Sequence, residues 1–274
     1  MHPKQLLERY GLMPKKSLGQ NFLSDENILA RIAATADLQP ADRVLEIGPG
    51  VGTLTRHLAQ TAVSVVAVEL DDRLLPILQA ELADLNNVRL IHGDILEQDP
   101  SRLFDGPYKV VANVPYYITG AILRHLLDGT HKPTMMVLTV QKEVAERITA
   151  VPPQMSLLAV SVQFYGQAEI AGIIKAGAFW PRPDVDSAIV RIDLTKRPFP
   201  NIQNERAFMR LVRAGFSQKR KQLRNNLQAL GLNKKQLTAI LDKAGIDARR
   251  RAETLSLAEW ATLYETLWPA LSAQ

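Results

Sequence analysis

Val44-Leu45-Glu46-Ile47-Gly48-Pro49-Gly50-Val51-Gly52 reads as a buried strand running into a Gly-x-Gly-x-Gly turn. Glycines there let the backbone bend tightly and approach a ligand where a Cβ would collide. Alone the turn is weak evidence, because it also occurs where nothing binds. Two acids strengthen it. Glu69 ends the next strand-like run, 21 residues after Gly48, where a carboxylate can accept both hydroxyls of a ribose. Asp94, in His92-Gly93-Asp94-Ile95, follows the third run and can bond an adenine exocyclic amine. Each acid alone also reads as a solvated strand end. Together, strand ends bearing Gly48 and Gly50, Glu69 and Asp94 favour a nucleoside site at the edge of an open sheet.

Outward from the turn, short β-branched runs at 43–47, 64–68, 88–91, 109–112 and 134–140 alternate with helical patterns at 52–60, 72–82, 119–127 and 141–149. That alternation predicts an α/β fold, a doubly wound and mostly parallel Rossmann-like sheet. Residues 157–165, 168–175 and 187–194 read as further strands, some paired as a terminal hairpin. Lys196-Arg197-Pro198-Phe199-Pro200 reads as a linker. Beyond it the pattern is helical: 205–215, 218–230 closed by Gly231, 234–244 closed by Gly245, and a last helix opened by the capping-box spacing Ser256-Leu257-Ala258-Glu259. The expected domains are therefore 1–195 for the sheet and 201–274 for a small all-helical unit.

The chain has 274 residues, 46% of them hydrophobic, enough for a large domain and a small one. It has no cysteine, which excludes disulfides, thiolate metal sites, iron–sulfur clusters and any methylation through a cysteine nucleophile. His2, His57, His92, His125 and His131 lack ligand-like spacing, so no metal is expected. No apolar run reaches membrane-spanning length and residues 1–5 have no hydrophobic signal core, so a cytoplasmic protein with no membrane partner is expected. From Lys196 onward there are fifteen Lys/Arg against six Asp/Glu, a net of +9, whereas residues 1–195 carry 18 against 22, a net of −4. That asymmetry suits a polyanion met by the C-terminal part, although a merely soluble basic surface fits the charge equally well.

Asn113-Val114-Pro115-Tyr116-Tyr117 follows the fourth strand and resembles the Asn/Asp-x-Pro-Tyr/Phe signature of amino-group methyltransferases. A nicotinamide dehydrogenase would share the glycine turn and Glu69 but not this motif. An adenine amine is a poor nucleophile, because its lone pair is delocalised into the ring. The Asn113 side-chain oxygen and the carbonyl of residue 114 can each accept one amine hydrogen, favouring a tetrahedral nitrogen aimed at the methyl donor. Pro115 rigidifies the turn, and Tyr116 offers a flat face to an extruded base. No strong general base is needed, since the methylated amine becomes cationic and loses its proton easily. By itself the motif also fits a plain turn with buried tyrosines.

Lys16-Ser17-Leu18-Gly19-Gln20-Asn21-Phe22-Leu23 and Ala178-Phe179-Trp180-Pro181-Arg182-Pro183-Asp184-Val185-Asp186-Ser187 are similar to segments of the ribosomal RNA adenine dimethyltransferase family. The resemblance covers nearly the whole chain and implies S-adenosyl-L-methionine as cofactor. It implies cofactor contacts from Asn21, Leu23, Gly48, Glu69, Asp94 and Asn113. It makes Phe179 a candidate second stacking face, with a hydrophobic plug as the equal alternative. Residues 215–227 and 251–256 resemble the group that dimethylates two adjacent adenines in the terminal hairpin of small-subunit ribosomal RNA. Lys219, Arg220, Lys221 and Arg224 are then expected on one short helix as phosphate contacts. The implied partner is small-subunit ribosomal RNA or the immature small subunit, and the expected state is a monomer. Two rivals stand beside this reading: a large-subunit rRNA adenine methyltransferase of the macrolide-resistance type, and a ribosome-assembly factor with secondary catalysis. Val114 departs from the family's usual leucine, which matters little where a backbone carbonyl acts. Trp180 has no assigned role.

Overall fold

In the computed structural model, which describes residues 2–272, the β-branched runs form a seven-stranded sheet. Helix α1 (Pro3–Arg9) and a two-residue strand β1 (Phe22–Leu23) precede it, then α2 (Glu26–Thr35). There follow β2 (Arg43–Ile47), α3 (Thr53–Ala59), β3 (Ser64–Glu69), α4 (Leu75–Glu81), β4 (Val88–His92), α5 (Pro100–Leu103), β5 (Lys109–Asn113), α6 (Thr119–Asp128) and β6 (Met135–Gln141). The order across the sheet is β4-β3-β2-β5-β6-β9-β7, with β7 at Gln167–Ile174 and β9 at Ser187–Asp193. Pairings from β4 to β6 are parallel, and β9 runs antiparallel to β6. The inner strands are buried almost end to end rather than on alternate residues, as a sheet covered on both faces requires. From β2 the chain builds first to one side and then, with β5, to the other. The strand order therefore reverses between β2 and β5, where open α/β sheets bind ligands.

The chain divides into two compact units, residues 1–145 with 168–195, and residues 146–167 with 196–274. This corrects the expected boundaries. The stretch 157–165, read as a strand, is helix α8 (Leu157–Gln163), which follows α7 (Lys142–Ile148). The apolar run Leu157-Leu158-Ala159-Val160 suits either state, and two contacts decide it. Ser156 caps the helix by accepting the Ala159 N–H (3.1 Å), and Phe164 stacks on Phe208 of the helical unit at 4.2 Å between ring centres.

That unit continues with α9 (Glu205–Gly215), α10 (Leu223–Leu227), α11 (Lys234–Lys243) and α12 (Leu257–Ser272). The capping box at Ser256 and Glu259 forms as expected, with both reciprocal bonds present. The helix expected over 218–230 is a second correction, because it is confined to α10 and a following 3-10 turn. The Asn226 side-chain amide donates to the Gly215 carbonyl (2.6 Å) and to the Gln218 carbonyl (3.0 Å), folding 216–222 back as a loop. Gly215 is required there, since a Cβ would lie 2.3 Å from the Trp260 ring.

Candidate active site

The C-terminal ends of the parallel strands set the site. After β2 the turn places Gly48 and Gly50 at φ +66° and +62°. A Cβ on Gly50 would meet the Phe22 ring at 3.0 Å, so glycine answers both the conformation and the approach of the N-terminal segment. Glu69, at the end of β3, is 6% exposed. Its Oε2 accepts the Gly50 N–H (3.1 Å) and its Oε1 accepts the Asp71 N–H (2.8 Å). Burial pushes its carboxyl above the ordinary value, while these amides hold it down.

The segment 15–23, polar and undistinguished by periodicity, is strapped across the strand ends. Gln20 Nε2 donates to Asp71 Oδ2 (2.7 Å), and Asp71 is held below the usual carboxylate range chiefly by Arg73. Phe22 and Leu23 pair antiparallel with a short strand β8 (Phe179–Trp180). Trp180 thereby gains a place: it faces Phe22 across this pair, with ring centres 6.5 Å apart. The proline-rich segment between β8 and β9 is tied down by Asp186, which accepts the Ala176 N–H (3.0 Å) and pairs with Lys175 (2.9 Å).

Asn113, the last residue of β5, donates its Nδ2 to the Asn21 carbonyl (3.0 Å). With its amide nitrogen so engaged, its oxygen is left to accept. Tyr116 lies in the next turn, and its hydroxyl shares a hydrogen bond of 2.6 Å with Ser187, which is fully buried. Burial raises the Tyr116 hydroxyl pKa, which keeps it a neutral, fixed ring.

These residues enclose a cleft of about 710 Å³ including its open mouth. Asn21, Leu23, Gly48, Gly50, Glu69, Asn113, Pro115 and Tyr116 all line it. Asp94 and Phe179 are absent from its walls. Asp94 caps the turn beside β4, its Oδ1 accepting the Leu96 N–H (2.9 Å). Phe179 is 4% exposed and packs in the core with Leu23, Leu29 and Leu54.

One wall residue was missed from sequence. Glu46 is 1% exposed, and its Oε2 has no hydrogen-bond partner among the described residues. Burial above all, with the charge of Glu69 adding and the Thr55 hydroxyl opposing, pushes its carboxyl up to about 8. A buried carboxyl with one oxygen unpartnered suits a cationic ligand, whose approach would favour its charged form, and the glycine turn with Glu69 suits a nucleoside, so the residues present fit a charged nucleoside cofactor. The signal for Glu46 was an acid inside an otherwise continuous apolar strand. Tyr117, 59% exposed beside Gly19, is a second flat ring near the turn.

In the helical unit Lys219, Arg220 and Lys221 are exposed but lie on the 216–222 loop, not on a helix. Arg224 alone of the expected four is helical. It is half-buried, with Nη1 donating to Thr238 Oγ1 (3.2 Å) and Nε buried. Among the described residues no group of His, Asp and Glu could hold a metal, and no helix is long and apolar enough to cross a membrane.

A sheet of this order, with a glycine turn, a strand-end glutamate and an Asn-x-Pro-Tyr turn along one edge, defines a Rossmann-like methyltransferase. More narrowly, the chain belongs to the ribosomal RNA adenine dimethylase family, whose profile matches residues 12–268. It is 48% identical to the ribosomal RNA small subunit methyltransferase A of Dehalococcoides mccartyi strain CBDB1, over 95% of this chain and 90% of that one. It is 45% identical to the protein of the same name from Listeria monocytogenes serotype 4b, over 94% and 92%. Among solved structures, a dimethyladenosine transferase from Plasmodium falciparum superposes with a TM-score of 0.80 at 25% identity, covering 90% of this chain and 98% of that one. The 23S rRNA methyltransferase ErmE superposes with a TM-score of 0.74 at 30% identity, covering 90% and 99%.

Proposed function

We propose that this enzyme transfers methyl groups from S-adenosyl-L-methionine to the N6 amines of two adjacent adenines in the terminal hairpin of small-subunit ribosomal RNA, during small-subunit assembly. The cofactor supplies an electrophilic methyl on a cationic sulfur. Glu69 binds the ribose hydroxyls, the Gly48–Gly50 turn admits the nucleoside, and the family resemblance assigns Asp94, which stands outside the cleft walls, to the adenine amine. The strap residues Asn21 and Leu23 cover it.

The observation that carries the reading is the bond from Asn113 Nδ2 to the Asn21 carbonyl. It fixes the amide so that Oδ1 accepts one hydrogen of the target amine. The Pro115 carbonyl accepts the Ile118 N–H (3.3 Å), so the Val114 carbonyl takes the second hydrogen. The amine lone pair is then directed toward the methyl group, a stabilisation by fixed dipoles that is fully realised only in the transition state. Tyr116, anchored through Ser187, stacks the extruded base. Phe179 stays in the core as a support for the strap. The helical unit supplies the RNA contacts.

The test is methyl transfer from labelled cofactor to small ribosomal subunits that lack the modification. Dimethyladenosine should map to the terminal hairpin of the small-subunit RNA. Label confined to large-subunit RNA would favour the second reading, which the likeness to ErmE supports. Binding without transfer would favour an assembly factor.

A further inference from the structure

We infer that the outer face of α9, together with the 219–221 loop, grips the RNA backbone, and that Arg224 takes no part in that grip. The inference rests on the reading of the chain as an rRNA methyltransferase and deepens it.

Helix α9 is strongly two-sided. Phe208, Met209, Leu211 and Val212 are buried in the helical unit, whereas Arg206, Arg210 and Arg213 are exposed. Their spacing, i, i+4 and i+7, sets them in one row, with rises of about 6 Å and about 4.5 Å along the axis. Arg206 and Arg210 have no hydrogen-bond or ion-pair partner among the described residues. The acid on this helix, Glu205, is engaged by Arg197 Nη1 at 2.7 Å. Other acids of the unit are also occupied locally: Asp247 with Arg249, Glu253 with Arg251, Glu259 with Arg250 and Glu265 with Asn201. Arg206 and Arg210, with no acid paired to them, therefore present their charge outward from α9.

Two features extend the row. The chain leaves α9 through Ser217 directly into Lys219, Arg220 and Lys221, all exposed. The Gly215 and Gln218 carbonyls, which would otherwise present negative dipoles beside these cations, are both occupied by the Asn226 amide. Guanidinium forks match phosphate oxygens bidentately, and a linear row of them follows a backbone without reading bases. An acidic protein surface would offer carboxylates at no regular interval, so a phosphate backbone is the occupant that fits. Arg224 is excluded because its guanidinium is turned into the unit toward Thr238.

The experiment uses the full chain carrying Arg206→Gln with Arg210→Gln, and measures binding to unmodified small ribosomal subunits over a range of salt. Each lost phosphate contact should flatten the log–log salt dependence by about 0.7–0.9, so the pair should flatten it by about 1.5 and weaken binding about tenfold near physiological salt. Arg206→Lys with Arg210→Lys should restore the slope, which a folding defect would not allow. Arg224→Gln should leave the slope unchanged while lowering the melting temperature. An unchanged slope in the glutamine pair, or equal flattening by Arg224→Gln, overturns the inference. If the wild-type chain methylates the small subunit normally in parallel, only this inference has failed. If the wild type neither methylates nor binds small subunits, the functional reading has failed with it.

Discussion

The cleft over the strand ends and the cationic face of the helical unit carry their chemistry in different ways. In the cleft, single atoms are held by single partners: Asn113 by the Asn21 carbonyl, Glu69 by two backbone amides, Tyr116 by a fully buried serine. On the helical unit, Lys219, Arg220, Lys221, Arg206 and Arg210 stand in solvent. Position matters in the first region and total charge in the second. Losses in the cleft should therefore be steep and insensitive to salt, whereas losses on the charged face should be graded and salt-dependent.

The largest effect is expected for Asn113→Ala. Removing one fixed acceptor of the target amine should lower turnover about 10²–10³-fold, with only a modest loss of cofactor affinity, as single-turnover rates and calorimetry would show. Near-normal turnover would break the contrast at its strongest point.

Next comes Glu46→Gln. The Glu46 carboxyl sits at about 8 in the folded chain against an ordinary 4.5. Between those values the folded state keeps a proton that the unfolded state releases, so stability falls as pH rises through this window. The glutamine variant should lack that slope, gaining roughly 2–4 kcal/mol over wild type at pH 8 and nothing below pH 4.5 in denaturant melts without cofactor. Parallel curves for the two proteins would show Glu46 charged when folded.

Replacing Lys219, Arg220 and Lys221 together by glutamine should weaken RNA binding about 10- to 100-fold and flatten its salt dependence by about 2–3. A loss that ignores salt would move this loop into the same category as the cleft. The smallest effect is expected for Ser187→Ala. Freeing the Tyr116 ring should cost about 1 kcal/mol, seen as a KM for RNA raised about fivefold, and adding Tyr116→Phe should cost no more. Additive losses would mean that Ser187 acts other than through Tyr116.

The same contrast explains what could be read from sequence. The parallel strands are legible because a sheet buried on both faces demands continuous β-branched runs, and the turns after β2 and β5 because their chemistry restricts residue types. The strap at 15–23 is polar and aperiodic, and it is held by side-chain bonds to distant residues such as Asp71, so only family resemblance pointed to it. The run at 157–165 is apolar throughout, and a capping serine together with Phe208 decides its state. The loop at 216–222 depends on the Asn226 amide, whose two bonds, to carbonyls 11 and 8 residues back, leave no periodic trace.

The double passage of the chain through the helical unit has a consequence for how this enzyme could be recombined. Residues 146–167 enter that unit, the chain returns to complete the sheet, and residues 196–274 enter it again. Phe164, on the first passage, stacks on Phe208 from the second, and Arg197 lies over the Phe164 ring at 5.0 Å. A chimera joined once, near residue 195, would set a foreign tail against a native α8 and mismatch an aromatic core. A workable graft needs three joints, exchanging both passages together, so any new RNA preference would have to be imported as two separated cassettes.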